Sequence, residues 1–305
     1  MKVLITGANG FVGTHLTRFF LREGHQVTGL VRSEAKGRKL PAGASVLVGD
    51  SMRPGSWQEE VARHDVLINL AGANIFKRWN DAYKKLLRDS RIITTRNLVD
   101  AIGSHGSVTL LSTSAVGYYG FSRDEKLDET SPPGTDFLAV LARDWETEAF
   151  RAREKGVRVI VHRFGIVLGS DGGALPMMAL PFRLFVGGTI GSGDQWLSWI
   201  HIEDLCRAAI FVASNREIDG PVNFTAPEPV TNRELAANIA SALHRPSWMW
   251  TPGLLMELVL GEFGSVILKG QRVVPQVLEQ HGFSFKYPDI RTALKDLLRP
   301  ARRLS

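Results

Sequence analysis

Thr6-Gly7-Ala8-Asn9-Gly10-Phe11-Val12-Gly13 stands between an apolar, β-branched run, Lys2–Thr6, and a segment, Phe11–Glu23, whose apolar residues at 12, 16, 19 and 20 recur with a helical period. A tight strand-to-helix turn needs glycine where the backbone takes positive φ. A second glycine lets the main chain approach a diphosphate with no Cβ in the way, and a third lets the helix pack closely on the strand. The start of the helix then offers free N–H groups and a partial positive charge to phosphate oxygens. The spacing is Gly-x-x-Gly-x-x-Gly, wider at its first step than the dinucleotide fingerprint, but the strand–turn–helix setting is the one that such a motif requires. Gly7, Asn9, Gly10, Phe11, Val12 and Gly13 are therefore expected to hold a dinucleotide.

Strands and helices alternate outward from this turn. Strands are predicted at Gln26–Val31, Ser45–Val48, Asp65–Leu70, Val108–Ser112 and Val157–Phe164, and helices over roughly Asp81–Ser104 and Thr135–Lys155. Asp65–Leu70 is almost wholly apolar, as a strand buried on both faces should be. This alternation implies βαβ units and a doubly wound parallel sheet of the Rossmann type, an α/β fold. After Gly165 the texture changes: Gly169–Gly193 is glycine-rich with two prolines and reads as a loop-rich lid. A helix at Asp204–Ala213 and a strand at Pro221–Thr225 return to the first domain. Thr231 with Glu234 forms a capping box at the start of a further helix, and a final helix lies near Asp289–Leu298. The expected division is a dinucleotide-binding domain over 1–165, rejoined by 204–225, with 166–203 and 226–305 forming a smaller substrate, lid and C-terminal subdomain.

Nineteen residues beyond Gly13, where an NAD-preferring site carries an acid for the ribose hydroxyls, stands Arg32, followed by Ser33. A guanidinium pairs with a 2′-phosphate that an acid would repel, so NADP(H) is expected over NAD(H).

The bulk properties exclude other classes. The 305 residues carry a net charge of +6, and the basic run Lys77–Arg96 has only Trp79 and Tyr83 as stacking platforms, so it reads as a solvated helix face and not a nucleic-acid groove. No apolar run approaches the roughly 18 residues that span a bilayer. The N-terminus is too short in apolar residues for a signal peptide, and the single cysteine, Cys206, excludes a disulfide or a cysteine-built metal cluster within the chain. No His, Asp and Glu set has metal-ligand spacing. A cytoplasmic protein with a small-molecule substrate, no nucleic acid and no membrane partner is expected.

These residues resemble the extended short-chain dehydrogenase/reductases. Val48-Gly49-Asp50 is similar to the segment that places an acid near the adenine. Leu70-Ala71-Gly72-Ala73 resembles the family's strand-end turn beside the cofactor. Ser112-Thr113-Ser114-Ala115 with Tyr119-Gly120 is similar to the active-site strand, with Ser114 at the catalytic hydroxyl. Arg163-Phe164-Gly165 resembles the stretch that passes the nicotinamide, and Trp199–Asp204 one that borders the substrate. Ser90–Arg96, Arg143–Glu146 and Gly282–Pro288 are closest to the atypical YfcH-like branch, described as NAD(P)-dependent nucleoside-diphosphate-sugar epimerases. The resemblance implies an oxidoreductase or epimerase acting on a small hydroxyl- or carbonyl-bearing substrate, and a homodimer through the two long helices.

The chemistry departs from that family. Its tyrosine and lysine, four residues apart on one helix, move the proton while the nicotinamide moves a hydride. Here the helix reads Asp136-Phe137-Leu138-Ala139-Val140-Leu141-Ala142-Arg143, with neither. Tyr118 or Tyr119, beside Ser114, is the nearest replacement acid, although aromatic packing accounts for both equally well. Arg143, Asp144 or Glu146 could contribute from the helix, where charges are usually plain solvent contacts. Arg91 stands where the family often carries a structural asparagine. His201 reads as a packed histidine bonded to a carbonyl, and Asp204 as a helix cap. Met177, Met178, Phe182, Phe185, Trp196 and Trp199 could line an apolar lid, with Arg183 the one cation available there for a second diphosphate. The alternative reading is a catalytically silent NADP(H)-binding sensor acting through protein partners, and relatives of the branch have been linked to cell or organelle division.

Overall fold

A computed structural model describes residues 1–103, 108–122 and 124–299. Seven parallel strands form one sheet in the order Gly220–Phe224, Arg158–Phe164, Thr109–Ala115, Val66–Asn69, Lys2–Thr6, Gln26–Val31 and Ser45–Val48. The order reverses between the first and fourth strands in sequence, which opens a crevice at their carboxyl ends. The Rossmann-type α/β fold is thus the fold of the protein. Val66–Asn69 is buried at every position, in line with its apolar reading.

Both faces of the sheet are covered, as an all-parallel sheet requires. On one face Val3, Ile5, Ile68, Leu111, Ile160 and Val222 pack with the helices Phe11–Arg22 and Ile202–Ser214. On the other, Leu4, Leu67, Leu110 and Val159 pack with Leu98 and Val99 of the helix Asp81–Ala101 and Ala149 of the helix Phe137–Phe150. The predicted end of the long helix at Ser104 lies outside the described residues, as do residues 300–305 of the predicted C-terminal subdomain.

Four basic residues of Asp81–Ala101 are paired with acids: Lys84 with Glu262, Lys85 with Asp89, Arg88 with Asp144, and Arg96 with Glu148. No helix among the described residues is long and apolar enough to cross a membrane. Cys206 is buried, and burial pushes its thiol well above the ordinary range.

The lid departs from its loop reading. Leu175–Arg183 is a helix and Gly188–Ile190 a strand paired with Met249–Thr251. Pro176 sits in the first helical turn, where no backbone donor is needed, so its ring opens the helix instead of breaking it. Phe182 and Trp199 are core residues, whereas Met177 and Phe185 are exposed. The helix Asn232–Leu243 begins at Thr231 with the expected capping box to Glu234.

His162, on the strand next to the edge strand Gly220–Phe224, is stacked 4.8 Å from Phe164 and lies 5.2 Å from Phe224, and burial lowers its pKa from 6.5 to about 3. Below pH 6.5 the unfolded chain takes up a proton that the folded chain refuses, so stability falls as the pH drops toward 3. The slope from this one group is at most about 1.4 kcal/mol per pH unit. Urea unfolding from pH 7 to pH 4 should show a shallower acid limb for His162→Phe than for wild type; parallel limbs would contradict this account.

Candidate functional site

The glycine turn is closed against the sheet by sterics. Gly7 has φ +67°, and a Cβ there would lie 3.1 Å from the Ala71 nitrogen; a Cβ on Gly13 would lie 2.3 Å from the Gly7 carbonyl oxygen. The Gly10 amide donates to the Gly7 carbonyl at 2.9 Å, and Gly10 is the N-cap with no side-chain cap bond. The first turn holds no acid, so the amides of Phe11, Val12 and Gly13 open the helix with its positive end uncompensated. Asn9 and Gly10 are exposed, and Phe11 and Val12 half-buried.

The facing wall is the turn after Val66–Asn69. Thr6 Oγ1 donates to Asn69 Oδ1 (2.8 Å) and accepts from the amides of Leu70 (3.1 Å) and Ala71 (3.2 Å). Asn69 Nδ2 donates to Thr95 Oγ1, which also accepts from Trp145 Nε1, each at 2.8 Å. Leu70 and Ala71 are thereby brought against Gly7 of the glycine turn. Arg32 and Ser33 are exposed just past the second strand, and Arg32 makes no ion pair among the described residues. Asp50 is half-buried, accepts from the Met52 amide at 3.1 Å and lies 3.9 Å from Arg53, so its carboxylate braces its own turn. Phe164 and Gly165 are half-buried at the end of their strand, where the Gly165 amide donates to the Phe224 carbonyl at 3.1 Å.

The residues brought together by the resemblance to the active-site strand form a buried network. Ser114 Oγ donates to Glu146 Oε1 at 2.7 Å. Arg163 donates to both Glu146 oxygens at 2.8 Å and to the Tyr119 hydroxyl at 2.8 Å. The Tyr119 hydroxyl donates to Asn223 Oδ1 at 2.7 Å. Arg163 and Glu146 are 3% and 5% exposed at their side chains, so this is a desolvated ion pair with its lone pairs and protons satisfied. Burial works against the Arg163 charge, but its bonds to Glu146 outweigh it and hold its pKa above the ordinary value. Burial likewise pushes the Tyr119 phenol up, with the Arg163 charge opposing.

Two expectations change here. The Arg163 guanidinium is committed to Glu146 and Tyr119, which leaves only its backbone to border a cofactor. Glu146 is a buried partner and not a solvent contact, because its helix turns it toward the sheet at the same face as Leu138 and Ala142, eight and four residues earlier. Leu138 packs beside Gly117, and Ala142 is buried. Tyr118 differs from its neighbour: it is half-buried, with the Arg163 guanidinium 3.5 Å from its ring centroid.

His201 Nδ1 accepts from the Glu203 amide, capping the helix Ile202–Ser214 where a carbonyl partner was expected. Asp204, fully buried, accepts from the amides of Lys286 and Tyr287 and from Arg207, tying the C-terminal segment to the helix Ile202–Ser214. No signal in the local sequence marks that role, since its partners lie 82 and 83 residues away. A separate pocket of about 380 Å³, lined by Thr189, Ser192, Arg233, Ser247, Trp248 and Trp250 among others, shares no residue with the glycine turn. No cluster of His, Cys, Asp and Glu among the described residues could hold a metal ion.

Residues 3–224 match the family described as the NAD dependent epimerase/dehydratase family, and residues 251–297 match a domain of unknown function. A chloroplastic epimerase family protein of Arabidopsis thaliana is 39% identical over 98% of this chain and 87% of its own. The Bacillus subtilis epimerase family protein YfhF is 38% identical over 98% of each chain. Among solved structures, the human epimerase family protein SDR39U1 with NADPH superposes with a TM-score of 0.86 at 34% identity, over 98% of this chain and 99% of that one.

Removing one partner of the buried pair strands the other charge. Glu146→Leu should lower the unfolding free energy by about 3–5 kcal/mol, and Arg163→Leu on top of it should restore much of the loss. Urea midpoints decide this; an unchanged midpoint for the single variant would contradict the network's structural role.

Proposed function

The chain belongs to the NAD dependent epimerase/dehydratase family, and from that premise we propose that it is an NADP(H)-binding oxidoreductase or epimerase acting on a small carbonyl- or hydroxyl-bearing substrate, sugar nucleotides included. The observation that carries this reading is the glycine turn: Gly7 packs against Leu70 and Ala71, the helix Phe11–Arg22 opens beside it with no acid in its first turn, and Arg32, just past the second strand, makes no ion pair among the described residues. The amides suit a diphosphate, and the guanidinium suits a 2′-phosphate. The human relative with NADPH supports that preference. Residues 1–165 and 204–225 form the cofactor side of this proposal, 166–203 and 226–305 the substrate side, with a homodimer formed through the two long helices.

For the proton, Tyr118 is the proposed acid. Of the three candidate hydroxyls, those of Ser114 and Tyr119 are buried and bonded within the network, so each positions rather than reacts. A second reading is favoured by one observation: the helix Phe137–Phe150 carries neither a tyrosine nor a lysine. On that reading the protein binds NADP(H) without turning it over and acts as a sensor through protein partners.

Calorimetric titration with NADPH and NADH tests the binding. Arg32→Asp should weaken NADPH by about 10- to 100-fold, the loss of a charge-assisted contact, and leave NADH within about threefold; equal effects on both would overturn the preference. NADPH oxidation across carbonyls and sugar nucleotides then separates the readings. Tyr118→Phe should abolish turnover while sparing NADPH affinity, and tight binding with no turnover by wild type would favour the sensor.

A further inference from the structure

The exposed apolar surface of this protein is unevenly spread. Among the described residues, eleven of the sixteen large apolar side chains open to solvent fall in two segments, 177–186 and 248–259. The two segments form one face. Trp248 Nε1 donates to the Phe185 carbonyl at 3.0 Å and Trp250 Nε1 to the Gly191 carbonyl at 2.7 Å, while the strand Met249–Thr251 pairs with Gly188–Ile190. The helix Gly253–Leu260, Gly-Leu-Leu-Met-Glu-Leu-Val-Leu, continues the face.

That helix is apolar all round, a composition that belongs inside a protein, yet none of its described side chains is buried. It is held by its backbone. A Cβ on Gly264 would lie 2.3 Å from the Met256 carbonyl oxygen, so the next helix, Glu262–Ile267, presses on the main chain. Leu254 and Leu258, one turn apart, are 78% and 73% exposed. Phe185 is held at φ +63°, a left-handed conformation that bulky side chains rarely adopt, and its exposed ring has the Arg245 guanidinium 4.5 Å from its centroid.

The size of the face fits a protein partner. With about 150–250 Å² in a whole Trp or Phe side chain, eleven large residues at 44–78% exposure present on the order of 1,000 Å². The largest apolar patch of a typical monomer is about 300–600 Å², and a stable interface takes about 800 Å² from each side. Trp, Phe, Met and Arg, the types enriched at such interfaces, supply much of it, and Glu257, the one carboxylate of the helix, accepts from Ser265. The face carries two exposed arginines, Arg183 and Arg245, whereas an anionic lipid surface is held by clusters of about 4–8 cations. A twofold contact between identical chains needs projection and recess on the same patch, because residue i meets j and j meets i. Both are present: Leu254 and Leu258 project, and the pocket of about 380 Å³ lined by Trp248 and Trp250 receives. Arg233 in that lining is paired with Asp194 at 3.4 Å, so its charge is answered before an apolar group enters.

We infer that this face joins two copies of the chain about a twofold axis, with Leu254 and Leu258 of each copy seated against Trp248 and Trp250 of the other. The contact shares no residue with the helices Asp81–Ala101 and Phe137–Phe150, and it does not depend on what the glycine turn binds.

Sedimentation equilibrium of the full chain across micromolar concentrations tests it. Leu258→Glu alters a side chain that is exposed in the single chain, and it should halve the assembled mass. Trp250→Ala should raise the dissociation constant at least about tenfold. Hydrogen exchange over residues 253–260 should slow as wild type assembles and stay fast in Leu258→Glu. Leu254→Gln, with the same expected loss of mass, decides the matter if the glutamate variant does not fold. A wild type that remains a single chain would overturn the inference. So would an assembly that these variants leave intact, which places the contact elsewhere, the two long helices included. A single-chain wild type that sediments with phosphatidylglycerol vesicles, and loses them in Leu258→Glu, would give the face to lipid and overturn it equally.

Discussion

One hydroxyl fixes the geometry on which the candidate site depends. Thr6 Oγ1 joins the carboxyl ends of the first and fourth strands by giving its proton to Asn69 and receiving those of Leu70 and Ala71. At the switch in strand order the two strands diverge toward opposite connections, and backbone amides there would otherwise be buried without partners. The clasp satisfies them and sets the distance between the glycine turn and the facing turn. Asn69, Thr95 and Trp145 then carry the same network to both long helices, so the crevice is braced from below as well as from its sides. Buried polar networks hold a structure to one arrangement only when every member is satisfied, and this one is.

The neighbouring network has a different purpose. The helix Phe137–Phe150 carries no tyrosine and no lysine, and the Ser114 and Tyr119 hydroxyls are bound into the Glu146–Arg163 pair. Two charges taken out of water require strong mutual bonding, and here five hydrogen-bonding groups, from Ser114 to Asn223, supply it. The result is a rigid platform at the ends of three adjacent strands. Tyr118 differs from these two hydroxyl-bearing residues in being half-buried, which is why the proposal above assigns the proton to it.

Much of this was legible in the sequence because it is local. The spacing of Gly7, Gly10 and Gly13, the run Val66–Asn69 and the capping box Thr231–Glu234 each depend on residues within a few positions of one another. The helix Leu175–Arg183 was masked by proline and glycine, whose effect reverses with position: Pro176 lies where a helix tolerates it. Glu146 and Arg163 were read as separate because nothing along the chain states that a helix and a strand 17 residues apart turn those two side chains toward each other. Asp204 was likewise a plain helix cap until the amides of Lys286 and Tyr287 were seen to reach it. Long-range partners are set by the packed sheet, and a single sequence does not record them.

The claim beneath all of this is that main-chain amides at the opening turn grip a diphosphate against the turn after the fourth strand. Hydrogen–deuterium exchange of the full chain with and without saturating NADPH reads those amides directly. The account predicts slowed exchange at Phe11–Gly13 together with Leu70–Gly72. Binding that leaves both segments exchanging at their unliganded rates, with protection elsewhere, would contradict it.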